Sequence, residues 1–481
     1  MSLKFVSTTF VVYINRFFKK NIPLLLIILL AIALRIYKIN YAFPFDYDQE
    51  VPALAAYDFF INHKITFIGQ ELSFKGFFLG PLHNWIQFIP YGLCNLKPDC
   101  VPYFYLAISI VTLGLFYKII KRIFGNKTAL ISSGIIAISF AQISHEAATN
   151  SAYFLFLISI GLLFTLYKYF LGQNNYLILG ALFAGIAVVN FNPVFIFSAL
   201  AFFITAFIRK GREIKIVFLA VIAFFINYIP LVIFNFRHQN ILWHNFQNFI
   251  IQNSENTNYI EKFIFIIKNI FLPYLSNYLF QSANVFFIIF TSILIFYGFY
   301  NLKNSKRKVI NSINKNRFVY YLPIWIIIPI LGFTFYKGHI PDYYFLQTLF
   351  PIIILITVSL RKNIAIFLIF FSAFAFLNIK SVVNYDTVIN YKVKKDAVNY
   401  VLYDSKGETF NVYYQIPLAL NTGYPFLFKV FGRLPQEGGR NLYILEFTDP
   451  VQFAQDKYFK SFPDKKIDVK VIGFIHIVSI K

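Results

Sequence analysis

Long apolar runs recur along the chain and predict helices that span a membrane. The clearest runs lie at 22–34, 101–117, 129–143, 152–167 and 216–234. They are apolar on every side of a helix, whereas a surface helix of a soluble protein carries a polar face at helical spacing. Runs of this kind are typical of helices that cross the hydrocarbon layer of a bilayer. We therefore predict a polytopic membrane protein rather than a large soluble helical protein.

Lysine and arginine side chains concentrate in the short segments between these runs. Basic clusters lie at 118–127, 209–215, 303–317 and 361–362, and further basic residues precede the first run. Because basic residues collect on the cytoplasmic side of a membrane, we predict that these segments and the N-terminus are cytoplasmic. This topology gives about eleven transmembrane helices. The run at 263–280, which contains Lys268 and Pro273, is predicted to lie in the interface instead of crossing.

Two longer segments fall on the external side in this topology. The first is the loop 40–99, and the second begins at 384, where apolar runs stop and acidic residues become frequent. In the second segment the pattern predicts a helix at 394–403 and strands at 409–414, 442–447 and 469–480. The predicted fold class is an all-α polytopic membrane domain over 1–383 with a small C-terminal α/β extracytoplasmic domain over 384–481.

Composition agrees with a membrane location and narrows the partners. The chain is 58% hydrophobic and 21% aromatic, with a formal net charge of +23. A basic excess can indicate nucleic-acid binding, but here it follows from the inter-span loops, so we predict membrane lipids and no nucleic acid as partners. The first run lacks a cleavage site and is long enough to remain as an anchor. The predicted location is the inner (plasma) membrane, with an external C-terminal domain.

The two cysteines of the chain, Cys94 and Cys100, both fall in the first external loop. Two cysteines are too few for a disulfide scaffold or a metal cluster. Because their external position permits oxidation, we predict a disulfide between them. Two buried, unpaired thiols are the alternative.

Three carboxylates occur together where the first external loop begins. Asp46, Asp48 and Glu50 lie in the sequence PFDYDQE, next to the end of the first apolar run. A carboxylate close to the lipid surface can act as a general base that accepts the proton of an attacking hydroxyl. The structural alternative is that Asp48 or Glu50 caps a helix that starts near Pro52.

This loop resembles the first external loop of the GT-C-type glycosyltransferases, the dolichyl-phosphate-mannose mannosyltransferase and aminoarabinose-transferase superfamily. The resemblance rests on Asp48 after the aromatic-rich 44–47, on the amphipathic 53–62 and on the sequence GPLH at 80–83. Two later segments, PLVIFNFRH and GHIPDYYFLQTLFP, also resemble family segments. The family carries a catalytic Asp followed by Glu, so Asp48 takes the Asp position, while Gln49 replaces the Glu. The resemblance leaves open whether Glu50 or Asp46 supplies a second carboxylate.

The resemblance implies an inverting glycosyltransferase of GT-C architecture that takes a sugar from a polyprenyl-phosphate donor. The implied acceptor is a lipid, a glycan or a protein outside the cytoplasm, and neither a metal nor another cofactor is expected. A lipid phosphate needs cationic or hydrogen-bonding partners on the external side. The candidates there are Arg35, His83, Arg237, Lys337, His339, Tyr343 and Tyr344. Interfacial anchoring is the alternative for Lys337 and the two tyrosines, and structural pairing is the alternative for Arg35.

Two other classes of protein fit part of the pattern. A transporter or flippase for lipid-linked saccharides would also have many spans and few charges, but such proteins often show inverted repeats and broken midplane helices, which are not evident here. A scaffold of a cell-envelope complex is a further alternative. The long acidic external loop and the soluble C-terminal segment favour the enzyme.

Overall fold

Apolar helices pack side by side over most of the chain in the computed structural model of the protein. The structure describes residues 21–37, 39–72, 75–209, 213–252, 258–303, 320–336, 340–385, 389–417, 420–448 and 456–481. Within these residues, seven helices are long and apolar enough to cross a membrane: Pro98–Phe124, Ser151–Phe170, Ile214–Arg237, Tyr259–Phe280, Val285–Lys303, Tyr343–Leu360 and Ile364–Asn384. The helical polytopic class predicted from the sequence is therefore confirmed.

Shorter apolar helices complete the bundle. They are Asn21–Ile36, Tyr176–Phe191, Pro193–Ile208 and Tyr321–Phe335, together with a bent pair, Asn126–Ile138 and Phe140–Ala147. The helix Leu346–Leu360 lies at the centre, since nearly all of its side chains are buried. Its apolar surface packs against the other helices rather than against lipid. By length and composition the described residues hold seven or eight spans, and the number eleven stays a prediction.

The helix Tyr259–Phe280 is bonded to two other membrane helices near its two ends. Near its start, Lys262 Nζ donates a hydrogen bond to the backbone carbonyl of Tyr336. Near its end, the carbonyl of Leu279 accepts a hydrogen bond of 2.7 Å from Asn378 Nδ2. Tyr336 and Asn378 lie towards those ends of their own helices that face the first loop. Both ends of this helix therefore contact the same end of the bundle, and its interfacial position stays a prediction.

The first loop contains more regular structure than its sequence predicted. A one-turn helix, Ile39–Ala42, is followed by the helices Tyr47–Ile61 and Leu82–Leu93. The helix Tyr47–Ile61, called the loop helix below, begins six residues before the amphipathic segment identified in the sequence. After it, residues 69–72 and 77–80 pair with each other as two antiparallel arms, called the hairpin below. The predicted disulfide between Cys94 and Cys100 is present, with a Cα–Cα distance of 5.9 Å.

A small α/β tail follows the last membrane helix. It contains the helices Tyr391–Asp404, Tyr424–Phe431 and Asp456–Ser461 and the strands β1 Phe410–Gln415, β2 Asn441–Phe447, β3 Ile467–Ile472 and β4 Ile475–Ile480. The sheet order is β1-β2-β4-β3, with β1 and β2 parallel and the other pairs antiparallel. The prediction of one strand over 469–480 is wrong, because Gly473 takes a positive φ of 58° and turns the chain between two strands.

The tail and the first loop lie at the same end of the bundle. The backbone N–H of Tyr391 donates a hydrogen bond of 2.9 Å to the carbonyl of Phe43. Aromatic rings add to this contact, since Phe45 packs against both Tyr391 and Phe426 with ring centroids 5.8 Å apart in each pair. The two segments predicted to be external are therefore on one side of the membrane body. Their external orientation stays a prediction, as does the domain boundary at 384.

Candidate functional site

The loop helix begins at a capped end that sets the directions of the three carboxylates. Asp46 occupies the N-cap position, and its backbone N–H donates a hydrogen bond of 2.9 Å to Gln49 Oε1. This bond satisfies one of the donors that a helix start leaves open. Asp46, rather than Asp48 or Glu50, is thus the capping residue, so the structural alternative for those two carboxylates is wrong.

The three carboxylates separate into two environments. Asp46 Oδ1 accepts a hydrogen bond of 2.6 Å from Lys394 in the tail. The charge of Glu50 acts on Lys394 and Tyr414, which also belong to the tail. Asp48 instead lines a cleft in the membrane body. Because successive helical residues point in different directions, a short acidic sequence places only one carboxylate in the cleft.

The cleft has a volume of about 300 Å³ and lies between the first loop and the ends of several membrane helices. Its polar lining residues are Asp48, Gln70, Glu71, His145, Asn150, Ser151, Asn192, Tyr336, Tyr343 and Tyr344. Leucine, phenylalanine, proline, valine and alanine side chains complete the wall. Such a concave, partly apolar cavity with a few convergent polar groups is typical of a small-molecule site. Among the residues that the structure describes, no lysine or arginine lines it.

Asp48 is half-buried in this cleft and accepts a hydrogen bond from Gln70 Nε2. Burial raises the pKa of Asp48 above its ordinary value, the hydrogen bond from Gln70 lowers it, and the charge of Asp46 raises it further. The net effect is a raised pKa. A raised pKa makes a carboxylate a better proton acceptor at neutral pH, which suits a general base.

The hairpin, formed by residues 69–72 and 77–80, holds Gln70 beside Asp48. Its two arms are joined by hydrogen bonds from Gly69 N to Leu79 O at 2.6 Å and from Leu79 N to Gln70 O at 2.9 Å. Gly80 then packs closely on the membrane body, because a Cβ there would meet the side chain of Asn190 at 2.3 Å. This close approach gives a physical reason for the glycine of the GPLH sequence. The hairpin is thus tied to the bundle on the cleft side.

Gln49, which replaces the Glu of the family pattern, forms hydrogen bonds through both the oxygen and the nitrogen of its side-chain amide. Its Oε1 atom accepts from the Asp46 backbone N–H, and its Nε2 atom donates a hydrogen bond of 2.5 Å to the carbonyl of Ala148. A glutamate carboxylate at this position could accept but could not donate. Gln49 is also buried, so the amide links the loop helix to the end of the helix Phe140–Ala147.

The predicted substrate-binding residues divide between the cleft and other places. Tyr343 and Tyr344 line the cleft with Asp48, as the prediction requires. Tyr344 is held by a stacked contact with Phe333, at 5.9 Å between ring centroids. Lys337 and His339 lie outside the described residues.

His83 and Arg237 do not line the cleft. His83 is buried, and its Nε2 atom lies 2.8 Å from the hydroxyl of Tyr105. Burial lowers the pKa of His83 to about 4, so this ring is neutral at physiological pH and unsuited to neutralising a phosphate. Arg237 is exposed, and its guanidinium lies 5.1 Å from the ring centroid of Phe67.

Arg35 satisfies the polar groups of the bent helix pair. Its Nε atom pairs with Glu146 Oε2 at 2.5 Å, and both side chains are largely buried. The bend of 58° between Asn126–Ile138 and Phe140–Ala147 interrupts the helical hydrogen bonds. Arg35 Nη1 donates to the freed carbonyl of Ala137 at 3.0 Å. Because a buried charge and an open carbonyl are both costly inside a membrane, the structure favours the structural role that was the alternative for Arg35.

Several residues of the site could not be found from the sequence. Gln70 lies in the hairpin, 22 residues after Asp48, and nothing in the local pattern joins the two. Asn192 and Tyr336 likewise reach the cleft only through the packing of helices. His145 and Asn150 could be recognised as external polar residues, but their place beside Asp48 could not. No cluster of three or more potential metal ligands occurs among the residues that the structure describes.

An apolar groove of about 380 Å³ is a second cavity of the membrane body. It runs between the helices Pro193–Ile208 and Ile214–Arg237, and Ile196, Phe203 and Phe225 are among its lining residues. Val194, two residues before Ile196, lines the cleft. The helix Pro193–Ile208 therefore contributes residues to both cavities. Apart from the hydroxyl of Tyr169, its lining is hydrocarbon.

Comparison with known proteins shows proteins of similar fold. The sequence profile of the family Dolichyl-phosphate-mannose-protein mannosyltransferase matches residues 79–234. The crystal structure of ArnT from Cupriavidus metallidurans bound to undecaprenyl phosphate is similar, with a TM-score of 0.61 and 12% sequence identity over 95% of this chain and 97% of that chain. The apo state of the same ArnT has a TM-score of 0.60 at 12% identity, over the same shares of the two chains.

A further similar structure is the oligosaccharyltransferase AglB from Archaeoglobus fulgidus in complex with an inhibitory peptide and a dolichol-phosphate. Its TM-score is 0.47 and its identity 13%, over 87% of this chain and 64% of that chain. No curated protein sequence matches the chain.

The fold and the cleft define a polytopic membrane protein of GT-C architecture with a small α/β tail. The resemblance predicted from the sequence, to the GT-C-type membrane glycosyltransferases of the dolichyl-phosphate-mannose mannosyltransferase and aminoarabinose-transferase superfamily, is confirmed.

Proposed function

We propose that the protein transfers a sugar from a polyprenyl-phosphate donor to an acceptor hydroxyl, on the side of the membrane where the first loop and the tail lie. The observation that carries this proposal is the position of Asp48. It is half-buried, has a raised pKa, and faces a cleft at the membrane end of the loop helix. The match to a mannosyltransferase family and the ArnT-like fold support sugar transfer as the class of reaction.

Asp48 is the proposed general base. As the acceptor oxygen attacks the anomeric carbon, its proton passes to a carboxylate oxygen of Asp48, and the bond between that carbon and the donor phosphate breaks. The polyprenyl phosphate leaves from the opposite face of the sugar, so the anomeric configuration inverts. Gln70 holds the carboxylate through its side-chain amide, which positions one oxygen while the other accepts the proton.

The surroundings of the cleft suit a lipid-linked donor. The apolar groove, which shares the helix Pro193–Ile208 with the cleft, offers a place for a polyprenyl chain, because its lining is almost entirely hydrocarbon. Tyr343 and Tyr344 provide hydroxyl and ring surfaces for the sugar or the phosphate. Lys337 and His339 remain our candidates for neutralising the phosphate, because their neighbours in the chain, Tyr336 and Tyr343, both line the cleft.

We further propose the topology that the basic loops predict, with a cytoplasmic N-terminus and an extracytoplasmic cleft in the inner (plasma) membrane. The acceptor, whether a lipid, a glycan or a protein, then meets the donor outside the cytoplasm. Impermeant thiol labelling of single cysteines in intact cells tests this orientation. Labelling near Lys308 without labelling near Lys406 would show that the protein has the reverse orientation.

The function is tested with the full-length protein in liposomes that contain radiolabelled polyprenyl-phosphate sugars. Acceptors are taken from the envelope lipids, glycans and proteins of a deletion strain. We expect label to move from the donor to one acceptor class with inverted anomeric configuration. Movement of the labelled lipid between leaflets without sugar transfer would instead support a flippase and contradict the proposal.

A further inference from the structure

Lys394, in the tail helix Tyr391–Asp404, is a buried lysine whose ammonium has a full set of partners. Its side chain has no solvent exposure. The Nζ atom donates to the carbonyl of Phe45 at 2.8 Å, to Asp46 Oδ1 at 2.6 Å and to the carbonyl of Thr422 at 2.9 Å. An ammonium has three N–H donors and here meets three oxygen acceptors. This geometry fits the charged form of the lysine.

The segment before the loop helix is held by the tail at several other points. Tyr391 N–H donates to the carbonyl of Phe43, as described above. Gly423 lies against the carbonyl of Phe45, where a Cβ atom would approach to 2.4 Å. The tail thus contacts the backbone carbonyls of Phe43 and Phe45 and the side chain of Asp46, and Lys394 supplies the ion pair to Asp46.

We propose that Lys394 is a positioning residue for Asp48, acting through the N-cap residue Asp46. This inference rests on the proposed role of Asp48 as a base. The ion pair holds Asp46 at the start of the loop helix, and this start sets the direction in which Asp48 enters the cleft. The same ion pair neutralises the carboxylate of Asp46 next to the base. The tail therefore supports the site from outside, since none of its described residues lines the cleft.

The charges around Asp48 determine the direction in which its pKa changes when Lys394 is replaced. Other groups that face Asp48 are Glu71 on the hairpin and His145, Tyr336, Tyr343 and Tyr344 across the cleft. The negative charge of Asp46 raises the pKa of Asp48. Loss of Lys394 leaves that charge without its ion pair, so the pKa of Asp48 should rise further. Loss of the Asp46 charge should lower it.

The test compares Lys394→Met with Lys395→Met in the full-length protein. Lys395 is the next residue on the same helix and forms a more exposed ion pair with Asp99 at 2.5 Å, so it is a matched control. Hydrogen exchange of the backbone is measured over 43–62 in nanodiscs, and kcat and KM of sugar transfer are measured as functions of pH. Asp46→Asn is a second variant that removes the charge of the ion pair from the other side, while its amide oxygen can still accept a hydrogen bond from Lys394.

We expect Lys394→Met to increase exchange over 46–50 and to lower kcat about tenfold or more, because a displaced base is a poor one. In the profile of kcat against pH, the acidic limb of Lys394→Met should move to higher pH by about half a unit or more. The acidic limb of Asp46→Asn should move to lower pH. A variant that carries both Lys394→Met and Asp46→Asn should have the same acidic limb as Asp46→Asn alone. Lys395→Met should match the wild type.

Unchanged exchange in both Lys394→Met and Asp46→Asn would overturn the anchoring role. Limbs that move in the same direction in these two variants would overturn the electrostatic role. If Lys394→Met does not fold, the exchange and the pH profile of Asp46→Asn decide the matter. Exchange is measured without a sugar donor, so failure of the anchoring is distinguishable from failure of the proposed transfer reaction.

Discussion

Replacement of Asp48 by Asn is the sharpest test of the site, because it changes the proton affinity of one side chain and little else. Asparagine has nearly the same size and shape, and its Oδ1 atom can still accept the hydrogen bond from Gln70. The loop helix should keep its start, because the capping residue is Asp46. The variant therefore removes the proposed base and keeps its surroundings.

The expected loss of activity follows from the size of general-base catalysis. A positioned base contributes about 10² to 10⁴ in rate, which corresponds to roughly 2.7 to 5.5 kcal/mol of transition-state stabilisation. We therefore expect kcat to fall by at least about a hundredfold. KM for the donor should change little, since the amide occupies the same volume in the cleft.

The raised pKa of Asp48 also determines whether Asp48→Asn raises or lowers the stability of the protein. Burial raises the pKa of Asp48 in the folded protein. An acid with a raised folded-state pKa contributes stability below its unfolded pKa, and this contribution is lost as pH rises through the folded pKa. At neutral pH the ionised carboxylate thus opposes folding. Asp48→Asn should therefore unfold at the same temperature as the wild type or at a higher one.

The assay combines sugar transfer in liposomes with thermal unfolding of the purified protein. Glu50→Gln is the matched control, because Glu50 acts on the tail rather than lining the cleft. It should retain most of the activity. Near-normal turnover of Asp48→Asn, together with an inactive Glu50→Gln, would show that the base has been assigned to the wrong carboxylate. Loss of both activity and thermal stability in Asp48→Asn would show that Asp48 is structural.

Three further variants test the contacts around the site. Arg35→Met should lower the free energy of unfolding by about 3 to 5 kcal/mol, because it leaves Glu146 buried without its ion pair; a change confined to the KM of the donor would instead support donor binding. Gln49→Glu should lower the free energy of unfolding by about 1 to 3 kcal/mol, because the carboxylate would face the carbonyl of Ala148 without a donor. Chemical denaturation measures this change. Replacing Cys94 and Cys100 by serine should cost roughly 2 to 3 kcal/mol at most with a modest effect on turnover, and an unchanged unfolding temperature would contradict this.

The sequence alone determined the features that depend on local composition. Membrane helices could be predicted because a segment in lipid must be apolar on all sides and must satisfy its own backbone hydrogen bonds. Asp48 could be selected because its neighbours in the chain resemble a known loop. The disulfide was predictable because Cys94 and Cys100 are close in the chain and share one compartment. The tail could be recognised because its apolar residues are no longer continuous.

Only the tertiary structure decided which polar groups meet. Arg35 and Glu146 are 111 residues apart, and Lys394 is 348 residues from Asp46. Glu50 and Asp48 are near neighbours in the chain, yet only Asp48 lines the cleft, while the charge of Glu50 raises the pKa of Tyr414 in the tail. A hydrogen bond or an ion pair depends on distance and direction between atoms, and these are set by the packing of helices that are distant in sequence. The pattern of residues along the chain determines whether a segment lies in lipid or in water. The fold determines which partner each charged side chain meets.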